Sequence, residues 1–231
     1  MNRETILKEM GLGPIWKLRQ PPKKKRGAEP APDVLAPVDD RTASIATMGW
    51  DELRNAVAGC AACELCQTRK QAVLGVGDLD ADWLFVGEGP GAEEDERGEP
   101  FVGQAGKLLD NMLAAIDLKR GAGVYIANAV KCRPPNNRTP EPAETAACWP
   151  FLARQIELIR PKLIVTLGKP AAQTLLQQEV TISRARGVVH DFAGIPLIVT
   201  YHPAYLLRNL PDKAKAWEDL CFMRKTMAGL G

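Results

Sequence analysis

Four nearly uninterrupted apolar runs constrain this chain more than any other feature: "DWLFVGE" (82–88), "GVYIANAV" (123–130), "KLIVTLG" (162–168) and "IPLIVTYHP" (195–203). A strand with one face in water alternates apolar and polar residues. Continuous runs of this length therefore belong to strands buried on both faces, as in a parallel sheet covered by helices. The intervals agree, because residues 104–117, 141–160, 170–177 and 212–228 read as helices, with Pro140 as a breaker before the second and Pro170 in the tolerated first turn of the third. The order predicts a three-layer α/β/α domain with a central, mainly four-stranded parallel sheet.

Composition matters next for where that domain begins. Residues 20–47, "QPPKKKRGAEPAPDVLAPVDDRTASIAT", are rich in Pro, Ala and charge and read as an extended linker. The expectation is an arm and linker over residues 1–47, mostly disordered, and a catalytic-sized domain over 48–231. Eight Lys and Arg against two Glu give residues 1–26 a charge of +6, although the whole chain carries only +2. A basic arm on a near-neutral body suits a polyanion such as DNA; the plainer reading is a solvated tail, and "ETILKEMGLGPIWKLR" is also a possible docking peptide for a protein partner. No run of 18 apolar residues exists, and the N-terminus has no apolar signal core, so a cytosolic protein of the bacterial cytosol or nucleoid type, off the membrane, is expected.

In open parallel sheets, ligands bind beyond the carboxyl ends of the strands. At those ends stand Glu88, Gly89, Pro90 and Gly91, then Asn128, then Gly168, then His202, one of two histidines in the chain. Each has a bland reading: a sharp turn, a loop hydrogen bond, a structural histidine. Together at one rim, a carboxylate, a carboxamide and an imidazole point to a functional site.

Cys60, Cys63 and Cys66 form "CAACELC", and Cys132 and Cys148 follow with fifteen residues between them. In a reducing compartment such thiols favour metal or cluster ligation over disulfides; four of them suit tetrahedral zinc or a [4Fe–4S] cluster. The long loop between Cys132 and Cys148 carries Pro134, Pro135, Pro140 and Pro142 and has little core of its own, so it needs such a staple. Cys221 reads as a small buried hydrophobe.

Taken in order, "CAACELC", "GEGPGAEEDERGEPFVGQAG", "NAVKCRPPNNRTP", "RPKLIVTLGKPA" and "TYHPAYLLR" resemble the family 4 uracil-DNA glycosylases, from about Trp50 to the C-terminus. The resemblance implies a monomeric, monofunctional hydrolase that releases uracil from DNA and leaves an abasic site, the first step of base-excision repair. It implies a [4Fe–4S] cluster on Cys60, Cys63, Cys132 and Cys148, with Cys66 left over. By the same resemblance, Glu88 and Gly89 wall a pocket for the flipped base, Phe101 stacks on it, and Asn128 reads its edge. His202 stabilises the uracil anion, and Glu94 orients the attacking water, with Glu93 or Asp95 able to share that work. Leu206 is the expected apolar wedge in the base stack and Arg208 a phosphate contact. Arg133, Arg138, Arg184 and Arg186 are further phosphate-facing candidates, or simply solvated. Two rival readings are an iron–sulfur DNA-binding or electron-transfer module without glycosylase activity, and a nucleotide-binding protein that uses "GEGPG" as a phosphate cradle.

Overall fold

Both faces of the central strands are buried, as continuous apolar runs require. The computed structural model describes residues 40–230; the basic arm and most of the linker expected over residues 1–47 lie outside the described residues. Helices α1 (Asp40–Thr47), α2 (Trp50–Ala58) and the one-turn α3 (Leu65–Thr68) precede the sheet. Then come β1 (Val76–Gly77), β2 (Trp83–Gly87), α4 (Ala92–Arg97), α5 (Gln104–Ala114) and β3 (Val124–Asn128). The chain continues through α6 (Pro142–Ile159), β4 (Leu163–Leu167), α7 (Lys169–Leu176), α8 (Ile182–Ala185), β5 (Val189–Phe192) and β6 (Ile195–Thr200). It ends with α9 (Pro203–Arg208) and α10 (Lys213–Ala228).

The sheet order is β1-β3-β2-β4-β6-β5. β3, β2, β4 and β6 are mutually parallel, and β1 and β5 close the edges antiparallel. Alternate residues of β2 separate the two layers of core. Trp83 and Phe85 pack with Leu109 and Leu113 of α5 and Leu220 and Met223 of α10. Leu84 and Val86 pack with Leu152 and Ile156 of α6 and Leu175 of α7. A third cluster joins Ile45, Leu53, Val57 and Leu65 to Cys132, Cys148 and Phe151.

The described residues include a helix ahead of the expected boundary at residue 48. "DRTASIAT" is polar enough to read as linker, yet it forms α1 and buries Ile45. Arg41 fixes it in place: its Nη1 donates to Ala147 O of α6 at 2.9 Å and its guanidinium lies 4.8 Å from the centre of the Phe151 ring. One buried isoleucine and one anchored arginine are too few to raise a periodic signal. The chain passes from β2 to β3 on one side and then back across β2 to β4, so the order reverses at β2, and the loop "EGPG" opens there.

Candidate functional site

The carboxyl ends of β2, β3, β4 and β6 open into one cleft of about 720 Å³. Glu88, Gly89, Phe101, Asn128, Gly168, His202 and Arg208 all line it. Residues far apart in sequence thus meet at one rim.

Asn128 ends β3 and is 2% exposed, and its Oδ1 is buried with no hydrogen-bond partner among the described residues. A buried carbonyl oxygen left unpaired is costly, so an orphan acceptor at a cleft is open to a donor from water or from a ligand. Opposite it in register is Gly87 of β2. A Cβ there would collide with Asn128 Oδ1 and stand 2.5 Å from Phe101 Cζ. Glycine is what lets the carboxamide and the ring close on the strand end together.

Phe101 is held in an unusual backbone state, with φ of 55°. Two Arg120 N–H groups hold the carbonyls on either side, Nη1 to Pro100 O and Nη2 to Phe101 O, both at 2.8 Å. Arg120 is itself fixed by Asp110 at 2.9 Å. The Phe101 ring lies 5.6 Å from the His202 ring, tilted by 30°.

His202 follows β6 and caps α9: its Nδ1 accepts the Ala204 N–H at 3.1 Å. An accepting Nδ1 leaves the proton on Nε2, so the neutral ring is a donor on its other side. Enclosure of the ring, with the positive charge of Arg208 acting in the same direction and Glu94 opposing, pushes its pKa down to about 4. The imidazole is neutral at physiological pH.

The carboxylates after "GPG" have separate employments. Glu94 Oε2 accepts the Gly91 N–H at 3.0 Å, and its Oε1 accepts Val102 N–H at 2.9 Å and Gly103 N–H at 3.1 Å. It therefore clamps the "GEGPG" loop to the "FVG" segment, and three of its four lone pairs are committed. Asp95 is 2% exposed and accepts the Lys70 N–H at 2.9 Å, so it is directed away from water-activating work. Glu96 pairs with Lys70. Glu88, half-buried in the cleft, has its carboxyl pushed up by desolvation, against a Thr139 hydrogen bond that acts the other way.

A second site lies behind the cleft, where Cys60, Cys63, Cys66, Cys132 and Cys148 line one small cavity with Arg69 and Lys131. Among the described residues no three His, Cys, Asp or Glu side chains gather closely enough to hold a single metal ion; the thiols stand around a space rather than at a point. N–H groups reach three of the sulfurs. Arg41 Nη2 donates to Cys60 at 3.6 Å, Arg69 Nη1 to Cys132 at 2.8 Å and the Lys131 backbone to Cys148 at 3.2 Å. Among the described residues none of these N–H groups reaches Cys63 or Cys66. Burial pushes the Cys148 thiol up to about 12, with Lys131 opposing, and raises Cys132 against the pull of Arg69. Any ion bound here must displace those protons.

Residues 74–221 match the family model of the uracil DNA glycosylase superfamily. A type-4 uracil-DNA glycosylase of Thermotoga maritima is 51% identical over 161 residues, covering 69% of this chain and 83% of its own. Another from Archaeoglobus fulgidus is 47% identical over 165 residues, covering 68% and 82%. The chain belongs to the uracil-DNA glycosylase superfamily. A type-4 enzyme of Pyrobaculum aerophilum, 40% identical, is covered over 92% of its length by this member of the superfamily.

Several expectations for this superfamily member need correction. Leu206 is not an exposed wedge: it is 1% exposed and packs in the core with Leu109 and Tyr201. Its neighbour Leu207 is 40% exposed. Adjacent positions on a helix face different ways, and a six-residue helix is too short for periodicity to decide between them. Arg186 is no solvated phosphate contact either, since Asp219 at 2.9 Å and Glu218 at 2.8 Å hold it. Arg138 is clamped by both oxygens of Glu144, at 2.6 and 2.8 Å. Cys221 is half-buried on α10, not buried. Arg208 is exposed at the cleft mouth. What sequence reasoning missed is Lys131 and Gln155, two fully buried polar side chains between the cleft and the cysteines; an isolated lysine in "NAVKC" carries no sign of burial.

Proposed function

We propose that this chain is a monofunctional uracil-DNA glycosylase that hydrolyses the N-glycosidic bond of deoxyuridine in DNA, releasing uracil for base-excision repair. The observation that carries the reading is the unpaired, buried Oδ1 of Asn128 at the floor of a cleft that also holds Phe101 and the Nε2–H of His202. Uracil reaches such a cleft only when its nucleotide is turned out of the helix. In this reading Asn128 Oδ1 accepts N3–H, its amide donates to O4, and Phe101 stacks on the ring. Cytosine has no N3–H and carries a donor at C4, so it leaves the carboxamide unpaired and is rejected.

Bond cleavage leaves negative charge on the departing uracil and positive charge on the sugar. His202 donates from Nε2 to O2 and stabilises that anion without transferring a proton, as its low pKa requires. Glu94 keeps one lone pair for the attacking water, and its charge offsets the sugar cation. Gly89 and Glu88 complete the wall of the pocket, and a side chain at Gly89 would stand 2.8 Å from Val130 Cγ2. Leu207 is the apolar side chain offered to the base stack, beside Arg208 for phosphate.

Cys60, Cys63, Cys132 and Cys148 are the proposed ligands of a [4Fe–4S] cluster; the resemblance to the family picks this set, and N–H bonds to Cys60, Cys132 and Cys148 support three of its members. Bound there, the cluster cross-links α2, the 132–148 loop and α6; it supplies structure and no step of the reaction. The proposed setting is the cytosol, as a monomer; among the described residues no helix is long and apolar enough to cross a membrane.

A gel assay on a uracil-containing oligonucleotide tests the reading. Wild type creates alkali-labile abasic sites, and Asn128→Asp shifts excision toward cytosine. No excision by the wild type, or an unchanged base preference in Asn128→Asp, overturns it.

A further inference from the structure

Lys131 is 1% exposed, and nothing in the proposed reaction uses it. Its Nζ donates to Asn128 O at 2.8 Å and to Gln155 Oε1 at 2.5 Å. Gln155 is oriented by its own amide, which donates to Leu74 O at 3.0 Å and Tyr125 OH at 3.1 Å, so Oε1 must face the lysine. Both acceptors are neutral. A buried ammonium without a counter-charge costs several kcal/mol, and among the described residues the ionisable groups that share a cavity lining with Lys131 include Cys132 and Cys148. The lysine lines the cysteine cavity and its backbone N–H bonds Cys148 Sγ at 3.2 Å. One residue therefore touches the cysteine site and the main chain of Asn128 together.

We propose that Lys131 is a positioning residue that joins the two sites: its buried ammonium is the counter-ion of the thiolate-bound cluster and, through Asn128 O, it holds the base-reading residue at the strand end. This rests on the proposed roles of Asn128 and of the cysteines. A four-thiolate iron–sulfur cluster carries net negative charge, which satisfies the ammonium. The ammonium in turn fixes the peptide carbonyl from which the Asn128 carboxamide is aimed. The cysteine site would then support base recognition through a charge and a hydrogen bond, and not only by stapling a loop.

The test compares wild type with Lys131→Met, of similar length and without charge, as cluster-loaded proteins. Two quantities are read: the midpoint potential of the cluster, and the inhibition constant of free uracil. Loss of a nearby positive charge makes reduction harder, so the potential of Lys131→Met moves negative. Uracil inhibition weakens on the order of tenfold, while affinity for uracil-free DNA is unchanged. A variant that retains its cluster and leaves either quantity unmoved overturns the proposal. If Lys131→Met does not assemble, Gln155→Glu carries the same test, because it is near-isosteric and gives the ammonium a competing carboxylate. Its potential is expected to move negative, and an unmoved potential overturns the proposal. A wild type that excises no uracil sinks the glycosylase reading and with it the link to base recognition, whereas the counter-ion role is read by the potential, independently of excision.

Discussion

Gly87→Ala tests whether the cleft floor is built as described. A Cβ at Gly87 would stand 2.5 Å from Phe101 Cζ and 2.7 Å from Phe101 Cε2, and closer still to Asn128 Oδ1. Ordinary carbon contacts lie at about 3.5–4.0 Å, so ring and carboxamide must retreat by about 1 Å. Neither has room, since Asn128 is 2% and Phe101 6% exposed, and the Phe101 backbone is held by Arg120. Overpacking of this kind costs about 1–3 kcal/mol, which lowers the melting temperature by about 2–4 °C per kcal/mol in a chain of this size. The effect on chemistry is larger, because a displacement of about 1 Å at a reacting centre is worth roughly a hundredfold in rate. Single-turnover excision from a uracil-containing duplex, beside a melting curve, reads both. Gly49→Ala is the control: its φ is −79° and a Cβ there would meet nothing nearer than 3.9 Å, so the rate stays at the wild-type value and stability falls only by the loss of a better helix cap, about 1 kcal/mol. Excision at the wild-type rate by a folded Gly87→Ala protein would mean that Asn128 and Phe101 do not form the base-recognising floor.

Other consequences can be checked more briefly. His202 has a folded pKa of about 4, below its ordinary value, so as pH falls the unfolded chain takes up this proton first. The stabilisation from its neutral state is complete above about pH 6.5 and is lost as the pH falls toward about 4, an effect on the order of 3 kcal/mol seen by urea denaturation across that range. Excision should show no histidine inflection between about pH 6 and 8. Leu206→Ala should cost about 2–5 kcal/mol of stability as a core truncation. Leu207→Ala should leave melting unchanged and slow excision from duplex DNA more than from single strands; the reverse pattern would restore Leu206 as the wedge. Cys66→Ser should keep the visible absorption of the cluster and the melting temperature, whereas Cys132→Ser should lose both; loss in Cys66→Ser would place it among the ligands.

The four parallel strands were legible because a strand buried on both faces has no choice but continuous apolar sequence, and each was anticipated to within a few residues of its observed span. The edges were not. β1 has two residues, and β5 alternates exposed and half-buried positions in "VHDF", where His190 bonds Ala185 O at 2.9 Å and has no place in the cleft. The meeting of Glu88, Asn128 and His202 followed from topology, since parallel strands deliver their carboxyl ends to one rim; Phe101, in the loop between α4 and α5, was reached through the resemblance alone. Which carboxylate binds what did not follow, because Glu93, Glu94, Asp95 and Glu96 are chemically alike in sequence and differ only in the amides and cations that folding brings to them. Leu206 and Leu207 failed for the same reason: a single turn of helix decides which is core. Nor does CxxCxxC spacing separate Cys66 from its neighbours; folding marks Cys60 with an N–H from Arg41 and leaves Cys63 and Cys66 alike in this respect.

Phe101 holds a left-handed backbone that costs an ordinary side chain about 1–3 kcal/mol. Arg120, not a visiting base, keeps it there. The shelf on which a pyrimidine would lie is therefore finished before any nucleotide arrives, and capture need not wait for the enzyme to rearrange. How often the double helix opens, rather than how fast the protein closes, would then govern the search for damage.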